Sequence, residues 1–213
     1  MNNINERKGV WIMRKLVCIG DSLTYGFGAC KDDAWPGIVG QRLGICSINK
    51  GQNGDFTSGM AARFDEDVIA FKPDTVMIMG GSNDILNGWP LYRTMGFIEE
   101  MTEASKAAKM QVWIGIPMNP DFEMLVLEGM PEQMVRRLKE KFTEYRELLL
   151  EFCKEASVGC VDFQKEYPRR MSMENVSQWF IDGVHPTAKG YHIMAEIFAD
   201  TVCMNITILE EFK

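Results

Sequence analysis

Four short blocks of the chain carry residue types that can perform covalent chemistry together. The first, Gly20-Asp21-Ser22-Leu23-Thr24-Tyr25-Gly26, follows an apolar run. A glycine permits a sharp turn there and places Ser22 near a helix start, its hydroxyl toward the open end. Backbone N–H groups at a helix start lack intrahelical partners and can stabilise negative charge on a reacting oxygen. The same residues also read as a glycine turn in which Asp21 and Ser22 cap the next helix. The second block is Gly51-Gln52-Asn53-Gly54-Asp55-Phe56-Thr57. Gly54 could bring a backbone N–H close to a ligand that a side chain would obstruct. Taken alone, the block reads more simply as an Asn-Gly turn with Thr57 capping the following helix. In the third, Gly80-Gly81-Ser82-Asn83-Asp84, Asn83 offers a neutral side-chain donor, able to hold an oxyanion without quenching a nearby base. A glycine-rich loop with an Asn or Asp cap is the alternative.

The fourth block, Trp179-Phe180-Ile181-Asp182-Gly183-Val184-His185-Pro186, spaces an acid three residues before a histidine. Within one loop such a carboxylate can reach an imidazole nitrogen, fix the tautomer and stabilise the imidazolium that forms in acid–base catalysis. Pro186 and Thr187 then open a helix. The only other histidine, His192, has no acid three residues before it and reads as packing or surface.

Something must hold these blocks at one place. Short β-branched or apolar runs at Leu16–Gly20, Ser47–Asn49, Thr75–Met79, Gln111–Ile116 and Gly159–Phe163 alternate with helical patterns. The helical stretches are Ala34–Leu43, Ser58–Phe71, Tyr92–Lys109, Pro131–Ala156 and Thr187–Met204. Strands without strict alternation are expected where both faces of a sheet are covered. Alternating strands and helices imply right-handed crossovers and a parallel sheet between two helical layers. The expected class is therefore α/β: a three-layer αβα sandwich on a flavodoxin-like, parallel, five-stranded sheet. In such sheets ligands bind beyond the carboxyl ends of the strands, and that is where the blocks fall.

The 213 residues suit one domain. Met13-Arg14-Lys15-Leu16 would make a natural beginning, so residues 1–12 are expected to be an extension and 13–213 the domain. The net charge of −7 argues against a nucleic-acid partner, because no stretch concentrates Lys and Arg as a phosphate-tracking groove needs. The six cysteines are scattered with no C-x-x-C pair, so reduced thiols and no metal site are expected. No apolar stretch approaches the roughly 18 residues of a membrane span, and no secretion signal is recognisable. Together these predict a cytoplasmic protein.

In this order and spacing, the blocks identify a resemblance to the SGNH hydrolases, or GDSL esterases and lipases, from Leu16 to about Met204. The first block reads Gly-Asp-Ser-Leu at 20–23, the second supplies Gly54, the third Gly81-Ser82-Asn83-Asp84, and the last Asp182-x-x-His185. The resemblance implies that Ser22 attacks an acyl carbonyl, His185 takes its proton and Asp182 orients His185. It further implies an oxyanion hole of the Ser22 and Gly54 N–H groups and the Asn83 side chain. It calls for no metal or organic cofactor, and for a small-molecule acyl ester as substrate. The family spans lipid esterases, arylesterases, thioesterases and carbohydrate deacetylases, so a carbohydrate deacetylase or an acyl thioesterase is the alternative. A non-catalytic flavodoxin-like binding module is the rival outside catalysis, but both G-x-G-x-x-G and the P-loop pattern are absent.

Residues 117–130, Pro-Met-Asn-Pro-Asp-Phe-Glu-Met-Leu-Val-Leu-Glu-Gly-Met, form a long, apolar connection. Long connections in compact domains are often lids or binding elements. Met118, Phe122, Met124 and Leu125 are accordingly expected to line the acyl side of the site. The alternative is a short amphipathic helix over the core.

Overall fold

The apolar runs form Lys15–Gly20 (β1), Cys46–Gly51 (β2), Thr75–Met79 (β3), Gln111–Ile116 (β4) and Gly159–Asp162 (β5) in a computed structural model that describes residues 13–171 and 178–211. The expected extension, with Val10, Trp11 and Ile12, lies outside the described residues. All strand pairs are parallel, in the order β2-β1-β3-β4-β5.

Successive residues of a strand leave the sheet on opposite sides, and here both sides are covered. Val17, Ile19, Val76, Ile78, Val112 and Ile114 point to one face. There they meet Thr57–Ala62 (α3), Phe64–Asp67 (α4), Leu91–Ala107 (α6) and Glu132–Ala156 (α8). Leu16, Cys18, Met77, Met79, Trp113 and Val161 point to the other. Trp35–Leu43 (α2), Phe163–Arg170 (α9) and Ala188–Glu211 (α10) cover that face. Helix α8 shows the pattern clearly: Val135, Leu138, Phe142, Tyr145, Leu149 and Cys153 recur at three- and four-residue steps and are all buried. Burying one such large apolar side chain contributes about 1.5–3 kcal/mol. Among the described residues no helix is long and apolar enough to cross a membrane.

The strand order decides where chemistry can occur. From β1 the chain crosses to β2 on one side, then returns past β1 to β3 on the other. The connections leaving β1 and β3 therefore diverge, opening a crevice at their carboxyl ends. Ser22 follows β1 and Asn83 follows β3, so the crevice separates the two blocks.

The helix expected over Ser58–Phe71 is broken. It comprises α3, α4 and a 3₁₀ turn at Ile69–Phe71. Arg63 sits at the break, and its guanidinium explains it: Nε donates to Asp55 Oδ2 (2.9 Å), Nη1 to Asp67 Oδ2 (2.6 Å) and Nη2 to the Gly20 carbonyl (3.0 Å). These charge-assisted bonds stitch α3 and α4 to the end of β1 and outweigh the continuity of one helix. Beyond β5, Phe163 opens α9 instead of ending the strand. Asp162 caps that helix by accepting from Lys165 N (3.0 Å) and takes a bidentate contact from Arg146. Residues 117–130 contain Phe122–Leu127 (α7), capped by Asp121, which accepts from Glu123 N and Met124 N. Of the two readings of that segment, the short helix is the one the chain adopts.

Candidate active site

The first block is a turn into a short helix. Asp21 is the cap of Ser22–Tyr25 (α1), accepting from Leu23 N at 2.9 Å, and Ser22 is the first helical residue. Only 6% of Ser22 is exposed, with its hydroxyl turned to the last block. His185 Nε2 lies 2.9 Å from Ser22 Oγ across 163 residues of sequence, and His185 Nδ1 lies 2.7 Å from Asp182 Oδ2. With Nδ1 protonated, Nε2 is the lone pair that accepts from the serine.

The loop carrying Asp182 and His185 is closed on itself. Asp182 Oδ1 accepts from Val184 N (3.0 Å) and His185 N (2.8 Å), while Ile181 N donates to the His185 carbonyl (2.8 Å). Phe180 and Pro186 form an antiparallel bridge at its base. Partial burial raises the affinity of the Asp182 carboxyl for a proton. The hydrogen bonds from His185 and from the His185 and Val184 backbone outweigh burial and hold it below the ordinary carboxylate value. It is therefore ionised where a histidine base needs it.

Gly54 and Asn83 follow β2 and β3, at the same end of the sheet as Ser22. Gly54 has φ of +74°, which favours glycine, and no described atom lies within 4 Å of where its Cβ would sit. Asn83 lies in Ser82–Leu86 (α5) and spends one amide hydrogen on the Asp55 carbonyl (2.9 Å), leaving its second N–H for another acceptor. The two loops are tied together beneath. Asp84 accepts from Thr57 N (3.1 Å) and Thr57 Oγ1 (2.6 Å), so Thr57 serves Asp84 and Phe56 takes the cap position of α3. Phe56 stacks on Trp89 at 4.8 Å, and Arg93 lies 4.2 Å over the same indole. Gly81, at φ +101°, lets Tyr145 approach and donate to the Gly80 carbonyl (3.0 Å).

Directly beneath the nucleophile, Asp21 is fully buried and its Oδ2 has no partner among the described residues. Burial, helped by the charges of Asp84 and Asp55 and opposed by the Leu23 N–H, pushes its carboxyl up to about 7. The unfolded chain releases this proton near 3.8, the ordinary carboxylate value, whereas the folded protein keeps it until about 7. Stability from this group is thus complete below pH 4 and is lost as pH rises toward 7. Asparagine matches the protonated acid in shape and can keep the cap. Asp21→Asn is expected to equal the wild type in stability near pH 4 and to exceed it by up to about 4 kcal/mol near pH 8. Denaturant unfolding of both proteins across that range checks this; a constant gap at every pH would contradict it.

The four apolar residues expected along the acyl side gather in one place, but behind the loop of Asp182 and His185. Met118, at 2% exposure, belongs to the core under α9 and α10, and Leu125 is also buried. Phe122 packs on Phe142, with Lys139 over its ring. Met124 and Leu125 lie against Gly183, whose carbonyl accepts from Asp121 N. Met118, Phe122 and Met124 do border a cavity of about 670 Å³ with Tyr167 and Phe180. Its lining includes none of Ser22, Gly54, Asn83, Asp182 or His185. Through Asp121, Met124 and Leu125 the segment also packs against Gly183 in the loop that carries Asp182 and His185.

Several side chains at this site carry no local signal in the sequence. Arg63 holds the Gly20 carbonyl, Asp121 holds Gly183, and Phe27 packs its ring 4.4 Å from that of His185. Tyr191 donates to the Phe27 carbonyl (3.1 Å) from 164 residues away. Only Asp121, an acid before a helical pattern, could have been read as a cap. His192 is exposed on α10, away from this arrangement.

A serine bonded to a histidine, itself oriented by a carboxylate, can carry out acyl transfer. Comparison with known proteins agrees. Residues 18–193 match the GDSL-like lipase/acylhydrolase family. The chain is 28% identical to an acetylxylan esterase of Geobacillus stearothermophilus over 207 residues, 86% of this chain and 91% of that one. It is 33% identical to an arylesterase of Vibrio mimicus over 81 residues, 36% and 40% of the two chains. A GDSL-like lipase from Bacteroides thetaiotaomicron shares the fold with a TM-score of 0.71 and 25% identity, covering 90% of this chain and 89% of that one.

Proposed function

The chain belongs to the GDSL-like lipase/acylhydrolase family and is a carboxylic ester hydrolase, and we propose that it works through an acyl-enzyme on Ser22. His185 takes the Ser22 proton as Oγ attacks the ester carbonyl, then delivers it to the leaving alcohol. Asp182 keeps Nδ1 protonated and steadies the imidazolium. The Ser22 and Gly54 N–H groups and the free amide hydrogen of Asn83 hold the oxyanion. Water activated by His185 then releases the acid. The observation that carries this reading is the continuous chain Asp182–His185–Ser22, with contacts of 2.7 and 2.9 Å.

Short acyl esters are the substrates to test first, and a carbohydrate deacetylase is the second reading. The likeness to an acetylxylan esterase along 86% of the chain favours it. A panel of aryl acetates, acetylated xylosides, longer acyl esters and acyl thioesters separates these classes. Turnover of none of them would overturn the proposal.

Asn83→Ala tests the oxyanion hole. Removing one such donor costs about a hundred- to a thousand-fold in kcat elsewhere, and the same drop is expected here with little change in KM. The hole strengthens as charge develops, so its loss falls on turnover. A large rise in KM at unchanged kcat would move Asn83 out of this role.

A further inference from the structure

Among the described residues few large apolar side chains are exposed, and two of them stand together beside the histidine. Phe27 is 39% exposed and Ile181 43%. The Phe27 ring sits 4.4 Å from the His185 ring, tilted by 40°. Ile181 belongs to the histidine loop, and its Cδ1 occupies the space above Gly28. Neither residue is needed by the acid–base chain of the proposed mechanism.

Phe27 is also held to both halves of the site. Its N–H donates to the Ser22 carbonyl (3.1 Å), and its own carbonyl accepts from Tyr191 Oη (3.1 Å). The backbone that carries the ring is therefore tied to the nucleophile and to α10.

The chemistry says what passes this place. The oxyanion points to the N–H donors of Gly54 and Asn83. The leaving oxygen must instead reach His185 Nε2, the atom that returns the proton to it. The alcohol portion of the ester is thus delivered to the imidazole, where the exposed Phe27 ring adjoins it. We infer that Phe27, flanked by Ile181, is the specificity-determining wall for the leaving group, selecting esters whose alcohol bears a ring. An aromatic ring or the C–H face of a pyranose meets that wall alike, through dispersion and contact with the π face. The inference rests on the Ser22–His185 reading of the site.

The test compares wild type, Phe27→Ala and Phe27→Tyr on two substrate series. One keeps the acetyl group and varies the alcohol: ethyl, cyclohexyl, phenyl and a methyl xyloside acetate. The other keeps phenol and lengthens the acyl chain. Variant-to-wild-type ratios of kcat/KM cancel the intrinsic reactivity of each ester. Phe27→Ala is expected to lose about tenfold more on ring-bearing alcohols than on ethyl acetate, with an even loss along the acyl series. Phe27→Tyr, which keeps the ring, is expected to restore the discrimination. Loss on phenyl acetate alone assigns an aryl alcohol; loss on cyclohexyl and xyloside acetates assigns a saturated ring. An equal loss on every alcohol would overturn the inference and reduce Phe27 to support for His185. No loss on any alcohol would place the ring outside the substrate path. In both of those cases wild-type turnover leaves the triad proposal standing, whereas absence of wild-type turnover would sink that proposal instead.

Discussion

Ser22→Ala is expected to fold normally and to lose on the order of a million-fold in ester turnover, the cost of removing a triad nucleophile. The fold should survive because the hydroxyl serves only the contact to His185. Asp21 still caps α1 through Leu23 N, and the Ser22 carbonyl still accepts from Gly26 N (3.0 Å) and Phe27 N (3.1 Å). Alanine suits a first helical position well. Turnover of a phenyl acetate, with far-UV dichroism and thermal melting of the same sample, measures both halves of the expectation. The residual rate should exceed that of water, since oxyanion donors and binding still operate. Substantial activity in a contaminant-free preparation would place the nucleophile elsewhere.

His185→Ala should be comparably severe, and His192→Ala mild, the chain having no third histidine to substitute. The difference follows from surroundings. His185 is partly buried, carries Asp182 on Nδ1 and Ser22 on Nε2, and packs against Phe27. His192 is exposed on α10. Removing His185 leaves the serine without a base and Asp182 without its imidazole, so the penalty falls on kcat. Parallel kinetics of the two variants decide the matter, and a greater loss from His192→Ala would reverse the assignment of the base.

Much of the fold was legible along the chain because its physical cause is local. Leu16 to Gly20 and Val76 to Met79 are continuously apolar because alternate residues enter two different cores, and that reads directly as a sheet covered on both faces. The period of Val135 through Cys153 likewise declares one buried stripe on α8. Where the cause is not local, expectation and structure part. Ser58–Phe71 has helical spacing, yet Arg63 exchanges helix continuity for three bonds to Asp55, Asp67 and Gly20, two of which lie outside the segment. Met118 and Leu125 read as surplus apolar surface on a loop, and only the packing of α7 against Gly183 and the core shows what they cover.

By itself, the sequence singled out the candidate reacting groups: Ser22, Gly54 and Asn83 after β1, β2 and β3, and Asp182 three residues before His185 in the loop that precedes α10. It could do so because each block needs only its own turn, cap or loop to present its group. Tertiary structure alone decided that Ser22 Oγ meets His185 Nε2 at 2.9 Å across 163 residues. It alone sealed Asp21 from water so that its carboxyl holds a proton up to about 7, and it alone set Phe27 against the imidazole through Tyr191. The reason is common to all three. Burial and distance between remote segments arise from how α1, α10 and the Asp182 loop pack around one end of the sheet, and no spacing along the chain encodes that packing.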